Sequence, residues 1–329
     1  MIRKATPADT KAIVELLKSS LGEELLPKSE AFWNWKHAQN PFGSSPVLVE
    51  DDNGKIAGVR AFMQWRWVQQ GKVYKALRAV DTATHPEYQG KGIFKKLTLG
   101  LVDESVKNGY HFIFNTPNSS SKPGYLKMGW EALGKPGIRI KPFIGMGLAR
   151  LGLKKNELVL EKFNRYATGE VFTFEQQLSD LLNDYKRQNE RYLKTDVSLA
   201  YFKWRYHDIP VHRYGCLHDL DAGGTYCIFF RPKLTRFGVE GRITDAVINF
   251  HKLSRKNFKS KFRELQRNFD YLSVTATDPE SNQLLNEMLF LPALNVGPVV
   301  TTRNLNLENP QFLLNFNPWK PTLGDLELF

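Results

Sequence analysis

The stretch His85-Pro86-Glu87-Tyr88-Gln89-Gly90-Lys91-Gly92-Ile93-Phe94, HPEYQGKGIF, decides how the first part of this chain is read. A long strand, Lys72 to Thr84, is predicted to run into it. A helix is predicted to leave it at Ile93, because Leu97, Leu101, Val102 and Val106 recur at helical spacing. Two glycines one residue apart at such a junction let several backbone N–H groups converge on one point, where the helix dipole adds partial positive charge. A pyrophosphate suits that point, and Lys91 adds charge from the side. The stretch does not fit the dinucleotide fingerprint: the third glycine is missing, Phe94 stands where a small residue is wanted, and no simple βαβ unit precedes it. It is equally far from the Gly-x4-Gly-Lys-Ser/Thr loop of nucleotide triphosphatases.

Upstream of this junction, Ala12 to Leu21 reads as a helix with Ile13, Leu16, Leu17 and Leu21 on one face. Pro46 to Glu50 reads as a strand, Asp51-Asp52-Asn53-Gly54 as a tight turn, and Lys55 to Trp67 as the antiparallel return. Gln69-Gln70-Gly71 turns the chain again into Lys72 to Thr84. Downstream, the helix stops at Asn108-Gly109, and Tyr110 to Thr116 is a buried strand. A second helix precedes Gly129-Trp130. From Glu131 to Phe172 the pattern blurs into a last strand and a connector, before a polar helix over Phe174 to Leu193.

Asn118, Tyr125, Lys127, Gly129 and Trp130 follow the buried strand in order. With Gln89, Gly92 and Phe94 on the marked positions of a Gln/Arg-x-x-Gly-x-Gly/Ala loop, and with the opening Ile2-Arg3-Lys4-Ala5-Thr6-Pro7-Ala8-Asp9, the chain resembles the GNAT superfamily of acyl-CoA-dependent N-acyltransferases. The resemblance covers residues 1–142, and three motifs in the right order make it specific. Phe94 departs from the family's small residue and is expected to turn toward the core beside Leu97, leaving the backbone amides free.

The resemblance implies an α/β (α+β) fold with a mixed, mostly antiparallel central sheet flanked by helices. It implies acetyl-CoA or another acyl-CoA as co-substrate, with no metal, and a small amine acceptor such as an amino sugar or amino acid derivative. Ala83 and Thr84 at the strand end, Gln89, Gly90, Lys91, Gly92, Ile93 and Phe94 in the loop, and Asn118 beyond it would bind the acyl-CoA. Tyr125 would be the general acid for the departing thiolate, work of order 10²–10⁴-fold. Asp81 would be the general base, its carboxyl raised by sharing a strand face with Leu77, Ala79 and Ala83. A purely structural role for Asp81 stands beside that reading.

A repeat underlies this second reading. Phe32-Trp33-Asn34-Trp35-Lys36, then Pro41, matches Tyr201-Phe202-Lys203-Trp204-Arg205, then Pro210. Arg78-Ala79-Val80-Asp81 is echoed by Arg242-Ile243-Thr244-Asp245, and Tyr110 to Thr116 by Tyr271 to Thr277. Ordered matches at nearly constant offset point to two copies of one domain. The expected division is 1–142 catalytic, 143–194 connector and helix, and 195–329 a degenerate copy with a tail. In the second copy Ile248-Asn249-Phe250-His251-Lys252-Leu253 replaces the phosphate loop and holds no glycine, so acyl-CoA is expected in the first copy alone.

Composition adds bounds. Over 329 residues, 42% are hydrophobic and 24% charged, as in globular proteins, and no apolar run is long enough to span a membrane. Two cysteines, Cys216 and Cys227, rule out a disulfide framework and a four-cysteine zinc site, and a reducing cytoplasm is expected. The net charge of +12 favours anionic partners. Its basic residues are scattered, so nucleic acid is not expected, and anionic lipid surfaces and phosphorylated small molecules stay open. Trp33, Trp35, Trp65 and Trp67 are expected in the core, with an acceptor cleft for sugar rings as the other reading. Two other functions remain open on sequence: a transferase resembling the Fem aminoacyl-tRNA-dependent ligases, and a non-catalytic acyl-CoA-binding module. Oligomeric state and acceptor identity are not legible.

Overall fold

The computed structural model describes residues 1–22, 26–142, 160–275 and 278–326, so part of the expected connector, 143–159, lies outside the described residues. Two mixed sheets organise them. The first contains β1 (Ile2–Lys4), β2 (Val47–Asp52), β3 (Lys55–Gln69), β4 (Lys72–Thr84), β5 (Phe112–Asn115) and β6 (Glu131–Gly134). β2, β3 and β4 form the expected antiparallel meander. Its hairpins close through paired positive-φ residues, Asn53 and Gly54 at one turn and Gln70 and Gly71 at the next, the backbone that a tight hairpin requires.

Four helices cover this sheet. α1 (Thr10–Leu21) buries Ile13, Val14, Leu16 and Leu17; Leu21, expected on that face, is exposed because the helix ends there at Gly22. With α2 (Glu30–His37), α1 packs on one side against Val49, Val59, Ala61 and Ala83. α3 (Ile93–Lys107) and α4 (Lys122–Lys127) pack on the other side against Phe62, Leu77, Ala79 and Ile113.

The second sheet runs β7-β12-β11-β10-β9, where β7 is Ile138–Pro142, β9 Gly215–His218, β10 Tyr226–Thr235, β11 Gly238–Ile248 and β12 Tyr271–Thr275. It is covered by α7 (Arg255–Gln266) and α8 (Pro279–Glu287), while α5 (Glu175–Gln188) and α6 (Leu199–Phe202) connect the halves. Residues 276–277, the end of the strand expected from Tyr271, are outside the described residues.

The sheets exchange strands. β13 (Val300–Asn304), from the second half, inserts antiparallel between β5 and β6 of the first sheet. β7 leaves the first half to pair with β12 of the second. A division at residue 142 therefore does not follow sheet membership, since hydrogen bonding between strands far apart in sequence leaves no trace in local periodicity. One apolar core spans both halves, with Trp35, Trp65, Trp67 and Phe114 packed among Tyr201, Trp204, Phe229 and Trp319. A short strand, β8 (Lys194–Thr195), also joins β3, and α9 (Leu323–Leu326) packs on β11. Among the described residues no helix is long and apolar enough to cross a membrane.

Candidate active site

The Gly90–Gly92 stretch forms the turn into α3. Gly90 and Gly92 hold φ of 76° and 75°, a left-handed backbone that a side chain would strain, and space is open where a Cβ would stand. Lys96 is the first residue of this turn whose N–H finds a carbonyl, that of Gly92 at 3.0 Å. Among the described residues the N–H groups of Gly90 to Lys95 donate to no protein acceptor, as the first turn of a helix dictates. They are the donors an anion needs. Gln89 and Lys91 are exposed, and Lys91 Nζ lies 4.6 Å over the Tyr88 ring. Ile93 is buried against Gly58, so it can offer only its backbone.

Beside this turn the sheet opens. β4 pairs with β5 through Ala76, Leu77 and Arg78 alone. From Ala79 to Thr84, including Ala83 and Thr84, β4 has no ladder partner on that side among the described residues. On its other side the register with β3 slips: Arg60 faces Thr82 and Ala61 faces Val80, leaving Asp81 as a bulged residue with φ of 29°. A splayed edge beside a bulge exposes backbone donors and acceptors to a chain-like ligand.

Tyr125 on α4 reaches under this edge. Its Oη accepts a 2.6 Å hydrogen bond from Nη2 of Arg60, a residue with no accessible surface. Its own proton has no acceptor among the described residues. Phe94 packs against the core cluster that contains Leu97. Its ring crosses to α4, standing edge-on to Tyr125 at 5.8 Å and in contact with the Gly124 position. Asn118 caps the turn into α4, its Oδ1 accepting from the N–H of Ser121 at 2.8 Å and its hydroxyl at 2.9 Å.

Asp81 differs from expectation on two counts. The bulge resets strand parity, so Asp81 and Ala83 face α1 and α2, while Leu77 and Ala79 face α3 and α4. Its setting is also not apolar: Oδ2 receives Lys36 Nζ and His37 Nε2, both at 2.8 Å. Burial pushes this carboxyl up, but the Lys36 charge and the His37 hydrogen bond outweigh it and hold it well below the usual carboxylate range. Burial in turn holds both Lys36 and His37 below their ordinary values, against the pull of Asp81. A neutral His37 that donates from Nε2 to Asp81 accepts at Nδ1 from Ser45 Oγ, 2.9 Å away.

The second half repeats this clamp with other chemistry. Asp245 on β11 accepts from the Tyr206 hydroxyl, and Tyr206 stands to Trp204 as His37 stands to Trp35. The β10–β11 register also slips, one residue earlier, at Thr244. After β11, Asn249 Oδ1 accepts the N–H groups of His251 and Lys252 at 3.1 and 3.2 Å. Those amides are therefore occupied, unlike their counterparts at Gly90 to Lys95.

Arg60 and His37 were not singled out from the sequence, and Lys36 entered only as the basic end of a repeated aromatic segment. Arg60 had a signal, a charged residue inside the apolar run Ile56 to Met63; Lys36 and His37 merely ended an aromatic helix.

Residues 1–133 match the acetyltransferase (GNAT) domain family. Over 121 residues the chain is 33% identical to the L-methionine sulfoximine/L-methionine sulfone acetyltransferase of Salmonella typhimurium, covering 33% of this chain and 66% of that protein. It is 31% identical over 121 residues to the L-amino acid N-acyltransferase MnaT of Escherichia coli, covering 33% of this chain and 65% of that protein. The chain thus spans just under two thirds of each relative's length. The fold extends further. A GCN5-related N-acetyltransferase from Anabaena variabilis superposes with a TM-score of 0.62 at 17% identity, over 93% of this chain and 73% of that one. Residues 1–133 thus carry the match to the GNAT acetyltransferase domain, and the two-sheet fold of the described residues is similar to that of a GCN5-related N-acetyltransferase.

Proposed function

We propose that the chain is an acyl-CoA-dependent N-acyltransferase that acylates the amine of a small molecule of the amino acid class. One observation carries the reading: free amides at Gly90 to Lys95 and a tyrosine proton without a protein acceptor flank one open strand edge. The amides would hold the pyrophosphate, with Lys91 beside it and Gln89 at the rim. The exposed edge of Ala79 to Thr84 would bind the pantetheine arm and polarise the thioester carbonyl. Tyr125 would give its proton to the leaving sulfur. The names of the two curated relatives support an amino acid acceptor. Asp81 serves this site as the anchor of the bulge, because a carboxylate already paired with two buried donors is a poor base.

Calorimetric titration with acetyl-CoA, followed by thiol release across a panel of L-amino acids, tests the reading. One acetyl-CoA bound per chain and acceptor-dependent thiol release are expected. No binding heat would remove the acyl-CoA assignment. Tyr125→Phe should lower kcat about 10²-fold or more and leave acetyl-CoA affinity within about twofold.

A further inference from the structure

Arg60 is the least expected residue beneath the open edge. It is a strand residue with no exposed surface, and among the described residues it has no carboxylate partner. Its Nε and Nη1 have no hydrogen-bond partner, and its one bond goes to Tyr125. Three aromatic rings surround it: Phe62 at 4.9 Å, Tyr125 at 5.3 Å and Phe94 at 5.8 Å from the guanidinium carbon. A buried cation without a counter-charge is destabilising, and the faces of aromatic rings offset only part of that. Phe94, the one departure in the loop motif, supplies a wall of this cage.

We infer that Arg60, caged by Phe62 and Phe94, is the positioning residue for Tyr125, an assignment that rests on the acyltransferase reading above. Guanidinium nitrogens only donate. The Tyr125 oxygen must therefore accept from Arg60, and its hydroxyl proton must point elsewhere. Arg60 is the ladder partner of Thr82, next to the bulge, so the phenol is held on the α3–α4 side of the open edge. In the reaction the amine nitrogen attacks the thioester carbon, and the carbon–sulfur bond breaks with its electron pair on sulfur. The Tyr125 proton moves to that sulfur, giving the free thiol. The phenolate left behind faces the fixed positive charge of Arg60 until water reprotonates it, while the amine loses its extra proton to solvent. The cation that lacks a counter-charge in the resting site gains one when Tyr125 gives up its proton, which is stabilisation reserved for the reacting state.

The test is a mutant cycle with Arg60→Met, Tyr125→Phe and the double variant, read as kcat and KM for acetyl-CoA. Arg60→Met should lower kcat about 10- to 100-fold, the loss of one charge-assisted hydrogen bond, with KM within about twofold. On the Tyr125→Phe background it should lower kcat no further. Arg60→Lys should restore part of the loss, and Phe94→Ala should reproduce part of it. Full multiplication of the two single effects, or a wild-type kcat in Arg60→Met, overturns the assignment. Acetyl-CoA calorimetry on each variant reports whether the site is intact. Should Arg60→Met not fold, Arg60→Lys decides alone, and a kcat and pH profile identical to wild type would refute the role. A wild-type chain that neither binds acetyl-CoA nor releases thiol removes the acyltransferase reading and this one with it. A working wild type beside an unaffected Arg60→Met removes only this one.

Discussion

Trp35 and Trp204 hold each other: each indole N–H donates to the other's backbone carbonyl at 2.8 Å, and the rings stack at 4.6 Å with planes 10° apart. The two residues are 169 apart, the offset at which their surrounding segments match. Reciprocity of this kind is what related segments produce when they pack across a two-fold axis. Trp35→Phe keeps a ring but leaves the Trp204 carbonyl unpaired in a dry core, which should destabilise the chain by about 1–3 kcal/mol. Trp204→Phe should cost a similar amount, and the double variant less than the sum of the two. Denaturant unfolding measures all three; unequal, additive effects would break the pairing.

Asp81 anchors α2 to the β4 bulge through a buried ion pair. Asp81→Asn leaves Lys36 buried without its counter-charge and should destabilise by about 3–5 kcal/mol. In the wild type the folded carboxyl ionises below its unfolded value, so its contribution is complete above the ordinary carboxylate range and is lost as pH falls below that range toward the depressed folded value. His37, held neutral by burial, acts in the same sense: the unfolded chain takes up its proton first, and stability declines as pH drops below about 6.5. Between pH 7 and pH 4 the His37 contribution is lost in both proteins, so the melting temperature of the wild type should fall more steeply than that of Asp81→Asn only as pH drops below about 4. Parallel profiles would show that the pair contributes nothing.

Much of the first half was legible, because each of its signals is local. The Asn53-Gly54 and Gln70-Gly71 turns, the apolar face of α1 and the glycine turn into α3 follow from backbone and burial preferences within a dozen residues. Asp81 was misplaced because alternation presumes an unbroken ladder, and a bulge shifts every later side chain to the opposite face. The partners Lys36 and His37 lie 45 and 44 residues away, beyond any periodicity. Phe94 was read against a family pattern that has a small residue there; its real partner, Arg60, is set by packing across the sheet.

Asp245 titrates in the opposite sense to Asp81. Burial, reinforced by neighbouring Asp325, pushes its carboxyl up to about 7. The folded state then keeps a proton that the unfolded chain has already released. That contribution to stability is complete below the ordinary carboxylate value and disappears as pH climbs through about 7. Asp245→Asn keeps an acceptor for the Tyr206 hydroxyl and removes the charge. Its melting temperature should exceed that of wild type at pH 8, with the difference shrinking as pH falls through 7 toward the ordinary carboxylate value of 3.8. A variant less stable than wild type at pH 8 would mean the carboxylate is favourably paired there.

The strand exchange sets what can be cut. Residues 1–142 contain the whole candidate site, yet β5 is buried at all four positions and its outer edge is covered by β13. Thr301 and Thr302 hydrogen-bond to Asn115 and to the Ile113 carbonyl, so removing β13 strips both backbone and side-chain partners from the strand beside the open edge. It also leaves an apolar sheet edge in water, which invites association. A 1–142 fragment should therefore show no cooperative thermal transition and no acetyl-CoA heat, while coexpression with 160–329 should recover both. A fragment that melts cooperatively and binds acetyl-CoA like the full chain would show that the first sheet closes without the borrowed strand.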